Sequence, residues 1–213
     1  MRLIAFLIAG SALFCTAGGA EPTTAIFNGR DFSGWELVTI PAMDIGTACT
    51  IRPDGVIAAA GAPVGYLATT TAYTSYRLHV EWRWPGKAGN SGVLLHISSG
   101  PMDRAWPLCF QVQLKHGNAG DLLPMAGAAF SEPLTSAPGA ATAIKAHSAP
   151  DSEKPAGEWN TADITCRGDV IEVVINGVPQ NRVTRCSLRA GKIGFQLEGT
   201  PFELRRVSVV GLD

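Results

Sequence analysis

Apolar residues along this chain recur mainly at every second position, and no segment sustains the three-to-four spacing of an amphipathic helix. Tyr76, Leu78, Val80, Trp82 and Trp84 share one side of an extended segment, with Arg77, His79, Glu81 and Arg83 on the other. That period of two is the signature of a β-strand. Phe110, Val112 and Leu114 alternate in the same way with Gln111, Gln113 and Lys115, and Ile193, Phe195 and Leu197 with Gly194, Gln196 and Glu198. Residues 169–175 form a nearly continuous apolar run that closes on Asn176-Gly177, a hairpin signal. Pro85-Gly86 ends one strand, residues 87–90 turn, and residues 91–97 begin the next. Residues 202–210 read as a last strand, with a bulge expected near Arg205-Arg206. Many short strands with regular turn signals predict an all-β sandwich or barrel. Residues 117–158 differ: they are rich in Ala, Pro, Gly and Ser, lack periodicity, and are too long for a simple connection. No internal repeat or domain boundary interrupts the pattern, so residues 21–213 read as one domain.

The first twenty residues fall outside this scheme. Arg2, the apolar run 3–13 and the small residues Gly18-Gly19-Ala20 read as a secretory signal peptide cleaved before Glu21. A lipoprotein signal centred on Cys15 is the rival, but Phe14 stands where a small residue is needed. The chain is therefore expected to be exported, to the periplasm or the medium of a bacterium. No other apolar run is long enough for a membrane anchor. A formal net charge of −1, with scattered basic residues, gives no electrostatic footprint for nucleic acid. Cys49, Cys109, Cys166 and Cys186 remain after cleavage. In an exported chain they suggest two disulfides, with three possible connectivities. Cys166–Cys186 with Cys49–Cys109 is preferred because the first pair flanks one meander; buried free thiols are the alternative. No Cys or His spacing suggests zinc.

The polar strand faces carry the candidate chemistry. His79, Glu81 and Arg83 lie on one, Gln111, Gln113 and Lys115 on a second, Gln196 and Glu198 on a third. If these strands are neighbours, the side chains make one polar wall suited to sugar hydroxyls. The plain alternative is a solvated sheet face, against which stand two glutamines at i and i+2. Asn90-Ser91-Gly92 is either a ligand-positioning edge or a turn. Gln113 to Asp121 is the densest polar cluster: a strand delivers Lys115 and His116, and a glycine-rich turn presents Asp121. Histidine beside aspartate is a common means of orienting an imidazole. Glu153 follows the long loop as a further acid. Trp159 could stack on a sugar or cover the core, and Asn160 could bind hydroxyls. Phe27-Asn28-Gly29-Arg30 and Gly34-Trp35 read as a structural entry turn with a core tryptophan, and Arg167-Gly168-Asp169 as a hairpin turn rather than an adhesion tripeptide. Nucleophile-elbow, zincin and P-loop motifs are absent, and no two-carboxylate glycosidase pair is evident.

Six segments in order, FNGRDFSGW, GNSGVLLHI, FQVQLKHGNAGD, EKPAGEWN, INGVPQN and GKIGFQLEG, resemble the 3-keto-disaccharide hydrolase domain family over residues 26–212. The resemblance implies a jelly-roll-like, concanavalin A/laminin-G-like antiparallel β-sandwich and cleavage of 3-keto-glycosides by β-elimination and hydration. It implies that His116 or His96 is the base, and that Lys115 or a bound divalent cation stabilises the enolate. Glu81 and Asp121 would orient these groups or bind the metal. Arg83, Asn90, Gln111, Gln113, Glu153, Trp159, Asn160, Gln196 and Glu198 would contact substrate. The commoner family pattern has Glu at the position of Gln111 and Asp at that of His116; this chain is similar to the subgroup carrying QLKHGNAGD. A carbohydrate-binding module without catalysis is the alternative on the same fold, and a structural or adhesion role a third.

Overall fold

The computed structural model describes residues 23–212; the expected signal peptide lies outside them. The chain folds into two antiparallel sheets packed face to face. Fourteen strands follow in order: β1 (Thr23–Ala25), β2 (Trp35–Thr39), β3 (Cys49–Ile51), β4 (Ile57–Ala59), β5 (Gly65–Tyr73), β6 (Tyr76–Arg83), β7 (Gly92–Asp103), β8 (Trp106–Gln113), β9 (Leu122–Met125), β10 (Asn160–Arg167), β11 (Val170–Ile175), β12 (Val178–Val183), β13 (Gly191–Leu197) and β14 (Phe202–Gly211). One sheet has the order β12-β11-β10-β6-β14-β4-β3, with β1 added on β14; the other is β2-β5-β13-β7-β8-β9. The all-β expectation holds. No helix among the described residues is long and apolar enough to cross a membrane.

Alternation sets which side of each strand is buried. Tyr76, Leu78, Val80 and Trp82 of β6 are almost fully buried between the sheets, facing Phe110, Val112, Phe195 and Leu197 from the other layer. Full burial of each such side chain contributes about 1.5–3 kcal/mol. Trp35 stacks on Phe195 with ring centroids 5.9 Å apart, and its indole N–H donates to the Ile26 carbonyl at 2.9 Å. The Asn28 side chain accepts from the N–H groups of Arg30 and Asp31, which makes the preceding segment the expected entry turn. The β11–β12 hairpin turns on Asn176 and Gly177, both at positive φ, as such a two-residue turn demands. The β14 register shifts between Arg205 and Ser208, where the bulge was expected.

The expected disulfides are not formed: Cys49, Cys109, Cys166 and Cys186 are buried free thiols. Cys49 faces the main core, whereas Cys109 lies in a second apolar cluster with Tyr66, Ala68, Leu94 and Ile97, its Sγ 3.8 Å from Met125 Sδ. A sheet therefore separates the favoured partners. Cys166 and Cys186 share the main core, and burial pushes both thiols up to about 12.

One close approach fixes a turn that later matters. Gly61, at φ +76°, accepts a hydrogen bond at its carbonyl from Gly199 N–H at 2.7 Å. A β-carbon on Gly61 would come 2.3 Å from the Thr200 carbonyl oxygen. Gly127, also at positive φ, has open space around it. Gly61→Ala is expected to cost about 1–3 kcal/mol from backbone strain plus the clash, and clearly more than Gly127→Ala. Thermal denaturation of both variants checks this; equal melting temperatures would refute the packing argument.

Candidate functional site

The outward face of the six-stranded sheet carries a row of amides. On β8, Gln111 and Gln113 project outward beside Gln196 of β13. The Gln111 Nε2 donates to Gln113 Oε1 at 2.9 Å and to Gln196 Oε1 at 3.3 Å. These bonds orient the amide, and Gln111 Oε1 has no donor among the described residues although the residue is only 2% exposed. Asn90 shows the same pattern. Its Nδ2 donates to Glu198 at 2.6 Å, and its Oδ1 is buried without a partner. A buried acceptor left unpaired costs about 1–3 kcal/mol, so both oxygens are free to accept from a water or a ligand in the cavity. Ser91 anchors the edge of β7 by donating to the Gln196 carbonyl at 2.8 Å.

These groups line a cavity of about 430 Å³ that also includes Trp106, Arg104, Lys115, Leu123 and Met125. Residues 140–144 of the long loop close one side. Asn90 and Lys115 also border a second cavity of about 670 Å³, lined by Lys87, His116 and Thr200. Asn90 and Lys115 are thus the residues common to both cavities. Burial raises the Glu198 carboxyl above its ordinary range, with the nearby Lys115 and Arg104 charges opposing.

His116 stands at the mouth of the second cavity with its side chain 62% exposed. Its Nδ1 lies 2.9 Å from Glu153 Oε2. The Glu153 side chain is only 1% exposed and also accepts from the Trp84 indole N–H at 2.8 Å and the Gly117 N–H at 3.0 Å. The long loop thus returns to deliver a carboxylate to an imidazole that β8 positions.

The structure divides the single polar wall expected from sequence. β6 belongs to the eight-stranded sheet, so His79, Glu81 and Arg83 face away from the cleft, on the opposite side of the sandwich. There Glu81 bonds Arg205 at 2.5 Å and Arg206 at 2.7 Å, and Arg83 bonds Glu203 at 2.5 Å. Burial would raise the Glu81 carboxyl, but the two guanidinium groups outweigh it and hold it below the usual range. Trp159 lies on this side too, with the guanidinium groups of Arg83 and Arg205 4.6 and 4.0 Å from its ring centroid. Both arginines meet its ring, which accounts for its position without a sugar. His96 is 1% exposed, with its ring nitrogens 3.2 Å from the Leu188 and Thr74 carbonyls. Burial lowers its affinity for a proton, and it lines neither of the two cavities. Asp121 pairs with His147 at 2.6 Å rather than with His116, and so ties down the long loop. Asn160 is fully buried; its Oδ1 accepts from Lys154 N–H and Asn176 Nδ2, both at 2.7 Å. Among the described residues, no three His, Cys, Asp or Glu side chains converge as ligands for a metal ion. The residues therefore do not fit a protein-built cation site, and no step is routed through one.

Sequence reasoning missed Trp106 and the glycine of Asn90-Ser91-Gly92. Trp106 sits beyond a second register shift in the β7–β8 pair, so strand alternation could not place its ring. A β-carbon on Gly92 would come 2.7 Å from three side-chain atoms of Gln111. Glycine there leaves room for the amide to lie across the neighbouring strand, so the motif has a spatial reason.

The fold is that of the all-β antiparallel sandwich of two sheets. A model of the 3-keto-alpha-glucoside-1,2-lyase-like domain matches residues 22–210, and the chain belongs to that family. Among solved structures it is similar to a Parabacteroides distasonis protein provisionally named a glycosyl hydrolase (20% identity, TM-score 0.67, covering 90% of this chain and 94% of that one). It is also similar to carbohydrate binding module CBM66 of Bacillus subtilis (9% identity, TM-score 0.59, 84% and 96%) and a Bacillus licheniformis β-glucanase (10% identity, TM-score 0.57, 92% and 100%). At these identities the likeness is one of fold. No curated protein matches the chain in sequence.

Gly92→Ala is expected to displace the Gln111 amide and weaken ligand binding in the cleft about ten-fold, with little loss of secondary structure. Titration of the purified variant with the ligand that wild type binds, beside circular dichroism, checks this. Unchanged affinity would mean that the amide is not part of the binding surface.

Proposed function

We propose that the cleft binds a carbohydrate and cleaves a 3-keto-glycoside by β-elimination followed by hydration. One observation carries this reading. A carboxyl with raised proton affinity and an exposed imidazole line two cavities that have Asn90 and Lys115 in common, beside buried amide oxygens free to accept from outside donors. Sugar hydroxyls are such donors. The family match and the carbohydrate-related names of similar folds support the same substrate class.

The chemistry needs a base, a positive charge and an acid. A ketone at C3 acidifies the proton on C2. His116 takes that proton, and the C2–H electrons form the C2=C3 double bond while O3 becomes an enolate. The Lys115 ammonium stabilises the enolate charge. Return of the enolate electrons re-forms the C3 carbonyl, moves the double bond to C1–C2 and expels the C1 substituent with its bonding pair. Glu198 protonates that leaving oxygen. Water then adds across C1=C2, with hydroxyl at C1 and a proton at C2, and the sum is hydrolysis without a redox change. Trp106 presents an apolar ring at the cleft and is the stacking surface for a sugar C–H face. Glu81, Arg83, His96, Asp121, Trp159 and Asn160 hold the scaffold in this reading.

A second reading, a binding module without turnover, rests on one observation: Gln111 occupies the position where the commoner family pattern has a carboxylate. The two separate on incubation of the purified protein with a 3-keto-glucoside, followed by NMR. Free 3-keto-glucose or the corresponding glycal supports the enzyme. Saturable ligand-dependent shifts without product would move the assignment to the binding module. Glu198 must be protonated to act as the acid. Because burial raises its pKa, the acid form persists to higher pH than in an ordinary carboxyl, and kcat/KM is expected to fall as pH rises through that raised value. Glu198→Gln should remove the alkaline decline and lower kcat about 10²–10⁴-fold; an unchanged pH–rate profile would exclude Glu198 as the acid. Trp106→Ala should raise KM about ten-fold with a smaller change in kcat, measured by the same assay.

A further inference from the structure

An exposed histidine on a strand end has no reason to hold one ring orientation unless something clamps it. His116 is clamped from an unexpected direction. Its partner Glu153 is thirty-seven positions away in sequence and is delivered by the returning long loop. The carboxylate is itself fixed by three donors: the Trp84 indole and the Gly117 amide besides the imidazole. Trp84 is fully buried, so the clamp is anchored in the packing and not in solvent. The Glu153 N–H is held in turn by Asp151 Oδ1 at 2.9 Å, and Asn160 Oδ1 accepts from the next residue's N–H at 2.7 Å.

We propose that Glu153 is a positioning residue that fixes the tautomer of His116. This rests on His116 as the base of the proposed reaction. The ionised carboxylate only accepts, so Nδ1 must carry a proton to bond it. In the neutral imidazole the lone pair then resides on Nε2. Among the described residues no hydrogen-bond partner is assigned to Nε2, and the ring borders the cleft beside Lys115. A base must present a lone pair to the substrate, and a neutral ring with its proton on Nε2 would not. When the C2 proton is taken up at Nε2, the ring becomes positive and the buried carboxylate stabilises it. The proton stays on His116 until it is returned; Glu153 does not accept it. The same contact makes competence of the base depend on the docked loop, since loop and imidazole share this carboxylate.

The test uses the full mature protein and ¹⁵N NMR of its imidazoles. The chain has only four histidines, and His116→Ala identifies the resonances of interest. In the wild type at alkaline pH, the neutral ring is expected to show Nδ1 protonated and Nε2 unprotonated. In Glu153→Ala this preference is expected to be lost, because no carboxylate then accepts from Nδ1. The same variant should lower kcat on a 3-keto-glucoside by a hundred-fold or more, with KM changed less than three-fold. If Glu153→Ala fails to fold, Glu153→Asp, which withdraws the carboxylate by one methylene, is expected to show the same loss of tautomer preference. An unchanged tautomer in the folded variant, or a wild-type ring protonated on Nε2, overturns the proposal. So does wild-type kcat in Glu153→Ala. If the wild type turns over no 3-keto-glucoside yet Glu153→Ala switches the tautomer, the positioning role stands and the substrate assignment fails.

Discussion

A carboxylate withdrawn from water must be met by donors, and Glu153 is the place where this chain meets that constraint most fully. Burial of an unpaired charge would cost several kcal/mol. Three donors from two parts of the chain converge on it: the indole of Trp84, just after β6, and the neighbouring His116 and Gly117, just after β8. The loop that carries Glu153 has little regular structure of its own. It is ordered by this junction, by the Asp121–His147 pair, and by Asn181, which accepts from Lys145 Nζ at 2.6 Å and donates to the Lys145 carbonyl at 3.1 Å. The wall of the cleft and the orientation of its imidazole therefore follow from polar satisfaction and not from secondary structure.

The two outer faces of the sandwich use similar residues to different ends. On the eight-stranded sheet, Arg52 and Arg83 neutralise Glu203, and Arg205 and Arg206 neutralise Glu81, with the Trp159 ring packed on two of the guanidinium groups. Every strong charge in that array has a protein partner. On the six-stranded sheet the amides are oriented by one another and by Glu198, yet two acceptor oxygens have no partner among the described residues. That oriented but incomplete polarity is what supports the proposed ligand face.

Much of the architecture was legible without coordinates. Alternation in β6, β8 and β13 identified which side chains enter the core, and Asn176-Gly177 and the β14 bulge were readable from local backbone preferences. The same alternation identified Gln111, Gln113, Gln196 and Glu198 as one class of outward polar residue. It could not assign strands to layers. β6, β8 and β13 show the same pattern, but β6 hydrogen-bonds to β10 and β14 whereas β8 and β13 flank β7. Strand order is decided by pairings between residues far apart in the chain. For that reason Glu81, Arg83 and Trp159 were grouped with a surface they do not share. His116 and Asp121 were paired by proximity in sequence, and the glycine-rich turn sends them to different partners. Trp106 escaped notice because register shifts uncouple its ring from the period of two.

Sequence alone therefore determined the fold class, the inward faces of the main strands and the amide row, because each depends on patterns local to one strand. Only the tertiary structure decided which polar faces join, that Cys49 and Cys109 stand on opposite sides of a sheet, and that Glu153 reaches His116. Each of these is a contact between distant segments, and its energy depends on burial and directional bonding that arise only once both sheets are packed.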